Sequence, residues 1–160
     1  MTDEVKRIIG IVAPIRQRLA GKGPSDGKCI VAAHAVYYSM YQAGFEYDQL
    51  KLVHGVVVVD EKTKTRDHFD GDYDHWWVEH NGLVIDITAD QFNAEITGDE
   101  NFPDILIEAK TECRRHRCPH RIDYNKSVRT LGGIERIMAA QAFGEVPQAI
   151  PRKKKVKKSA

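Results

Sequence analysis

The chain has 160 residues, of which 42% are hydrophobic and 29% charged, a size and composition that suit one soluble domain with one core. Its three cysteines are an odd number without the spacing of a small secreted scaffold, which excludes a disulfide-stapled module and points to a reduced, cytoplasmic setting. The net charge of +1 hides an asymmetry: residues 152–158 hold six of the 24 Lys and Arg and no acid, leaving 18 basic against 23 acidic residues elsewhere.

Residues 3–20 have an amphipathic helical pattern with Thr2 or Asp3 as cap, and Pro14 is expected to kink or divide the helix. The apolar run at 8–15 is short, flanked by Lys6, Arg7 and Arg16 and interrupted by Pro14, so it reads neither as a secretion signal nor as a membrane span. A Gly/Pro/Ser/Asp loop, Gly21-Lys-Gly-Pro-Ser-Asp-Gly27, precedes a second helical pattern. That pattern runs from Cys29 to about Ala43 with Gly44 as its stop, and places Ile30, Ala33, Tyr37, Met40 and Tyr41 on one face. Residues 52–59 are β-branched and apolar, as in a buried strand. An acidic loop at 60–74 leads to a hairpin, 75–80 and 83–88, turning at Asn81-Gly82. A short strand follows at 105–108, then an Arg-, His- and Cys-rich segment at 111–121 that reads as exposed and basic, and a helix at 127–143 weakened by Gly132-Gly133. The expected domain is 1–146, with 147–160 a disordered basic tail.

The hairpin fixes a geometry. A two-residue turn at Asn81-Gly82 pairs His80 with Leu83, Val78 with Ile85 and His75 with Thr88. Alternation then puts His75, Trp77 and Glu79 on one face with Val84, Asp86 and Thr88. His75 and Asp86 become diagonal neighbours, with Cβ atoms about 7 Å apart, within reach of an imidazole and a carboxylate. Asp86 can accept from one ring nitrogen and leave the other as a base. Upstream, Cys29 lies in the first turn of a helix, where the macrodipole and unpaired backbone N–H groups favour a thiolate and can hold an oxyanion.

Gly27-Lys-Cys29 at a helix start, followed by His75-Trp-Trp-Val-Glu-His-Asn-Gly-Leu-Val-Ile-Asp86-Ile-Thr-Ala-Asp-Gln-Phe92, resembles the papain-like superfamily in its transglutaminase-like branch. The resemblance spans about residues 25–92. It implies an α+β fold in which the Cys-bearing helix packs on an antiparallel β-sheet, with Cys29 as nucleophile, His75 as base and Asp86 as orienting acid. It also implies cysteine-nucleophile acyl transfer without a cofactor: peptidase or amide hydrolase, deamidase or transglutaminase-like, on a protein, peptide or small amide or thioester. Papain-type peptidases carry a Gln just before the Cys, but here no Gln is closer than Gln17. The oxyanion hole therefore falls to backbone N–H groups, Gln91 or Trp77.

Other features compete. His34, five residues after Cys29, is about 140° round the helix from it and reads as a core or surface histidine. His68, in the acidic loop, is the rival base to His75. Cys113, His116, Cys118 and His120 are four zinc-ligand types within eight residues, a spacing too tight for an ordinary structural site and interleaved with Arg114, Arg115, Arg117 and Arg121. The alternative function is a non-enzymatic nucleic-acid or polyanion adaptor. It would use Arg152, Lys153, Lys154, Lys155, Lys157 and Lys158 with the Arg-rich 114–121 segment.

Overall fold

A computed structural model describes residues 1–20, 28–59, 72–93, 101–133, 135–136, 139–140 and 147–151. Helix α1 spans Asp3–Ala20, and Thr2 caps it, its hydroxyl accepting from the Val5 N–H at 3.2 Å. Ile8, Val12, Ile15 and Leu19 recur at helical spacing and are buried. The helix runs without a break through Pro14, so of the expected kink or division the division does not occur. Pro14 and Gly10 both lie on the exposed side, so the Gly10 carbonyl that loses its partner faces water.

Helix α2 spans Lys28–Gln42. Gly44, with φ of 90°, ends it: its N–H reaches the Tyr41 carbonyl while that of Phe45 reaches Met40, the paired bonds of a Schellman turn. The expected face joins the main core, with Ala33, Tyr37 and Met40 buried in it and Ile30 and Tyr41 packed against it, but burial extends beyond that face. Cys29, Val31, Ala32, Ala33, His34, Ala35, Val36, Tyr37 and Met40 are all buried, because α2 packs against both α1 and the sheet. Small residues on several sides let both neighbours approach.

Strands β1 (Leu50–Val58), β2 (Asp72–His80), β3 (Leu83–Asp86), β4 (Leu106–Ala109) and β5 (His116–Ile122) form an antiparallel sheet in the order β4-β3-β2-β1-β5. The β2–β3 hairpin takes the register its turn dictates, with His80 opposite Leu83 and Val78 opposite Ile85. Asn81 and Gly82 both have positive φ, 47° and 74°, as a type I′ turn requires. Strand β2 begins at Asp72, three residues before the expected start; the acidic loop itself, with His68, lies outside the described residues.

The basic segment expected to be exposed is partly strand β5, paired with β1. Its Pro119 fits the sheet's edge, where one side of the strand has no partner to hydrogen-bond. The helix expected at 127–143 is interrupted: α3 covers Tyr124–Arg129, capped by the Asp123 carboxylate on the Lys126 N–H at 3.0 Å. Helical residues resume at Gly133 and include 135–136 and 139–140 among the described residues, so the break falls at 130–132, beside Gly132-Gly133. The tail does not become free at 147. Ile150 is buried, and its backbone N–H and carbonyl bond the Asn125 side chain at 2.7 and 2.8 Å. Residues 152–160 lie outside the described set.

The two faces of the sheet carry separate cores. Leu50, Leu52, Val78 and Ile85 join the helices in the main core. Val53, Trp77, Val84, Leu106 and Cys113 form a second cluster with Phe102. The sheet is curled, and Trp77 sits inside the curl opposite Gly55: Val53 pairs with Trp77 and Gly55 with His75. A Cβ at position 55 would collide with the Trp77 ring and with the Arg117 carbonyl. Backbone atoms and a buried indole cannot easily move aside. Gly55→Ala is therefore expected to destabilise the fold by about 1–3 kcal/mol. Urea denaturation of the two proteins measures this, and equal midpoints would show that the curl tolerates the methyl group.

Candidate active site

Asp86 ends β3 and is almost wholly buried, 2% exposed. Its two oxygens are used differently. Oδ1 accepts from the Thr88 N–H at 2.8 Å and the Thr88 hydroxyl at 3.1 Å, which fixes the carboxylate to the turn after the strand. Oδ2 accepts from two imidazoles: His75 Nε2–H at 2.6 Å and His116 Nε2–H at 2.7 Å. A carboxylate without a proton offers only acceptors, so each ring donates through Nε2. Burial disfavours charge on Asp86, but the His75 charge and the bonds from His116 and His75 outweigh it. The carboxyl stays well below the usual range.

His75 is completely buried. Burial opposes a charge on its ring. The Asp86 carboxylate, by charge and hydrogen bond, outweighs this, and a hydrogen bond to Cys29 adds to it, so the imidazolium persists well above the ordinary histidine range. Since Nε2 is occupied by Asp86, Nδ1 is the nitrogen left for other work. The Gln91 Nε2 lies 3.5 Å from it, and the Cys29 thiol shares a hydrogen bond with this ring. Phe92 stands edge-on to His75, with ring centroids 5.1 Å apart.

Cys29, His75 and Asp86, 57 positions apart from first to last in the chain, thus meet in one chain of contacts. Cys29 occupies the second residue of α2, where backbone N–H groups lack helical partners. Gln91 sits in the single 3₁₀ turn Ala89–Phe92 that follows β3. Arg16 from α1 ties that turn down: its Nη1 donates to the Ile87 carbonyl and to Asp90 Oδ1, both at 2.8 Å.

Trp77 lies behind the triad and does not line an opening. It is 1% exposed, its indole N–H donates to Glu79 Oε1 at 3.3 Å, and its ring meets His116 edge-on at 4.9 Å. Its N–H is thereby committed, which leaves Gln91 as the side-chain amide next to the His75 imidazole. His34 is a buried strut: Nδ1–H donates to the Ile30 carbonyl at 2.6 Å, and Nε2 accepts from the Ser127 hydroxyl at 2.8 Å. Burial pushes its pKa down despite the Ile30 bond.

Of the four zinc-ligand types, Cys113 and His116 are the two that meet among the described residues. Cys113 Sγ and His116 Nδ1 are 3.1 Å apart, but His120 is exposed and the Cys118 side chain is outside the described set. Among the described residues, the one trio of potential ligand atoms within 4.8 Å is His75, Asp86 and His116. Its N···O separations of 2.6 and 2.7 Å are hydrogen-bond distances, shorter than the roughly 3.3 Å edge of a tetrahedral zinc site with 2.0–2.1 Å bonds. Of the Arg-rich segment, Arg115 is bound to the Val58 and Val59 carbonyls and Arg117 to the Arg114 carbonyl. Arg114 and Arg121 remain exposed.

His116 was not legible as part of this constellation. The spacing Cys113-x-x-His116 marks it as chemically capable, but its partner lies 30 residues away on a strand that is not its neighbour. No protein-family model, no curated protein and no solved structure matches this chain. Among the described residues, no helix is long and apolar enough to cross a membrane.

The two shifts give the site a stability profile. Asp86, depressed in the fold, stabilises above its unfolded value near 3.9, and that contribution is lost as pH falls through the folded value. His75, raised in the fold, stabilises fully below its unfolded value near 6.5, and that contribution is lost as pH rises through the folded value. The pair is therefore worth most between about pH 4 and 6.5. Asp86→Asn is expected to lower Tm most within this window and less toward alkaline pH, as read by thermal unfolding of both proteins across pH 3–10. A pH-independent loss would mean that the carboxylate's charge is not what the fold uses.

Proposed function

We propose that this protein is a cysteine acyl-transfer enzyme of the transglutaminase-like, papain-like type. The observation that carries the reading is the use of the His75 ring, with Nε2 held by a buried carboxylate, the Gln91 amide 3.5 Å from Nδ1, and a hydrogen bond to Cys29. A structural histidine needs no thiol on its remaining edge. The α+β architecture, with the cysteine at a helix start and the histidine and acid on an antiparallel hairpin, supports the same reading.

The chemistry follows from the placement. With the proton held on His75 Nδ1 beside it, Cys29 acts as the thiolate and attacks the carbonyl carbon of an amide or thioester. The negative charge moves to the carbonyl oxygen, which backbone N–H groups at the start of α2 and the Gln91 amide would receive. When the carbon–nitrogen bond of an amide breaks, the imidazolium gives its proton to the departing amine, leaving an acyl-thioester on Cys29. Water or a second amine then attacks, His75 takes its proton, and the acid or the new amide leaves with Cys29 restored. Asp86 keeps its negative charge throughout and holds the ring in register. Substrates are a protein, peptide or small amide or thioester, in a reducing, cytoplasmic setting that keeps the thiols free. Among the described residues the polyanion-adaptor reading keeps Arg114, before β5, and Arg121, on β5; its tail, 152–158, lies outside them, and no further observation favours it.

Cys113 provides an internal control, because burial, with help from Glu108 and Asp86, pushes its thiol up to about 12. Near pH 7, iodoacetamide is expected to label Cys29 at least about tenfold faster than Cys113, and His75→Ala should remove at least about tenfold of the Cys29 rate. An activated acyl ester should leave its acyl group on Cys29, located by peptide mass mapping. Equal labelling of the two thiols, with no effect of His75→Ala, would sink the proposal.

A further inference from the structure

Asp86 carries more than a Cys-His-Asp triad needs. Its Oδ2 is shared by two imidazoles at nearly equal distance, 2.6 Å to His75 and 2.7 Å to His116. The His116 side chain is 1% exposed. Behind it stands Cys113, whose sulfur is 3.1 Å from Nδ1. A continuous buried chain runs Cys113–His116–Asp86–His75–Cys29.

The protons along this chain can be placed. Asp86 only accepts, so His116 presents Nε2–H to it. Cys113 remains a thiol at neutral pH, so its S–H points at Nδ1, which must then accept. The Cys113 contact at Nδ1 thereby sets which edge of the His116 ring faces Asp86.

The contact is also an unusual one for the sheet. With strands about 4.8 Å apart, β5 and β3 would lie about 14 Å from one another in a flat sheet, with β1 and β2 between them. Only the curl brings a β5 side chain onto a β3 carboxylate. Trp77 and Phe102 pack on His116, with ring centroids at 4.9 and 5.6 Å, and fix where it can sit.

We propose that His116 is a positioning residue of the Cys29 centre: it pins the free oxygen of Asp86 in line with His75 and keeps that carboxylate ionised, and Cys113, on the opposite ring edge, holds His116 in the orientation that does so. This rests on the reading of Cys29 as nucleophile. With Oδ1 held by Thr88 and Oδ2 held by His116, the carboxylate has one orientation. Without His116, Oδ2 has a single donor, and the side chain is free to pivot about its bond to Thr88. Asp86 then also loses a bond that favours its ionised form. The groups around it are His75 on β2, His116 on β5, Thr88 after β3, and Cys113 in the turn before β5. Farther out lie Glu79, paired with Lys110 at 2.9 Å, and Glu108 on β4.

The test compares iodoacetamide rates at Cys29 between pH 4 and 9 in wild type, H116L, H116Q, D86N and the double variant D86N/H116L, with Tm recorded for each. H116L is expected to slow labelling by about tenfold or more, the worth of a hydrogen bond to a charged group, and to move the acid limb of the rate profile to higher pH. H116Q, which keeps an N–H donor, should recover most of the rate. In D86N, adding H116L should cost nothing further, because its effect passes through the carboxylate. H116M replaces H116L if the leucine variant fails to fold. A wild-type Cys29 that reacts rapidly and depends on His75, while H116L or H116M leaves both rate and acid limb in place, overturns the role of His116 alone. Equal additive losses in the wild-type and D86N backgrounds also overturn it, since a merely structural residue behaves that way. An unreactive wild-type Cys29 overturns this proposal together with the reading it rests on.

Discussion

One buried carboxylate organises this protein's candidate site. Asp86 lies where an isolated charge would be expensive, and four hydrogen bonds from three residues make its ionised form tenable: two from Thr88, one from His75 and one from His116. Each donor comes from a different part of the chain. Thr88 belongs to the turn after β3, His75 to β2 and His116 to β5. The carboxylate therefore does structural and electrostatic work at once. It draws three segments together and it makes the His75 ring positive.

The remainder of the fold serves this arrangement. The sheet must curl for β5 to reach β3, and the curl needs the Trp77 indole against a backbone without a side chain at Gly55. Glu79 takes the indole N–H and is itself paired with Lys110, so the inner face has its polar atoms answered. On the outer face, α2 is held between α1 and the sheet, which fixes where its first turn begins. Arg16 links α1 to the turn that carries Gln91. The thiol, the ring and the amide are thereby set by three different packings that share one end of the sheet.

Much of the local structure was legible because it follows from short-range rules. Asn81-Gly82 dictated a two-residue turn, and the turn dictated which residues of β2 and β3 share a face, so the His75–Asp86 neighbourhood could be read by counting. Gly44 marked the end of α2 in the same way. What was not legible depends on long-range geometry. The alternation in His116-Arg-Cys-Pro-His-Arg gives no apolar signal, so β5 looked like a basic surface segment, although pairing with β1 makes it a strand. The same blindness hid His116 as the second imidazole of the site, since only the curl makes it a neighbour of Asp86. Pro14 did not divide α1, because its cost falls on a solvent-facing carbonyl, and burial of α2 extends beyond the one face counted from its sequence because it has neighbours on more than one side. Residues 147–150 looked like tail, but Asn125 offers both a donor and an acceptor to the backbone of Ile150.

If Asp86 holds His75 as a cation beside Cys29, the ring must keep both its protons at neutral pH. Long-range ¹H–¹⁵N correlation spectra of the histidine rings, recorded from pH 5 to 9, measure this directly. Two protonated His75 nitrogens at pH 7, with titration only in the alkaline range, is the outcome expected. A His75 ring already neutral at pH 7, titrating at or below about 6.5 like a free imidazole, would contradict the claim that the buried carboxylate governs the site.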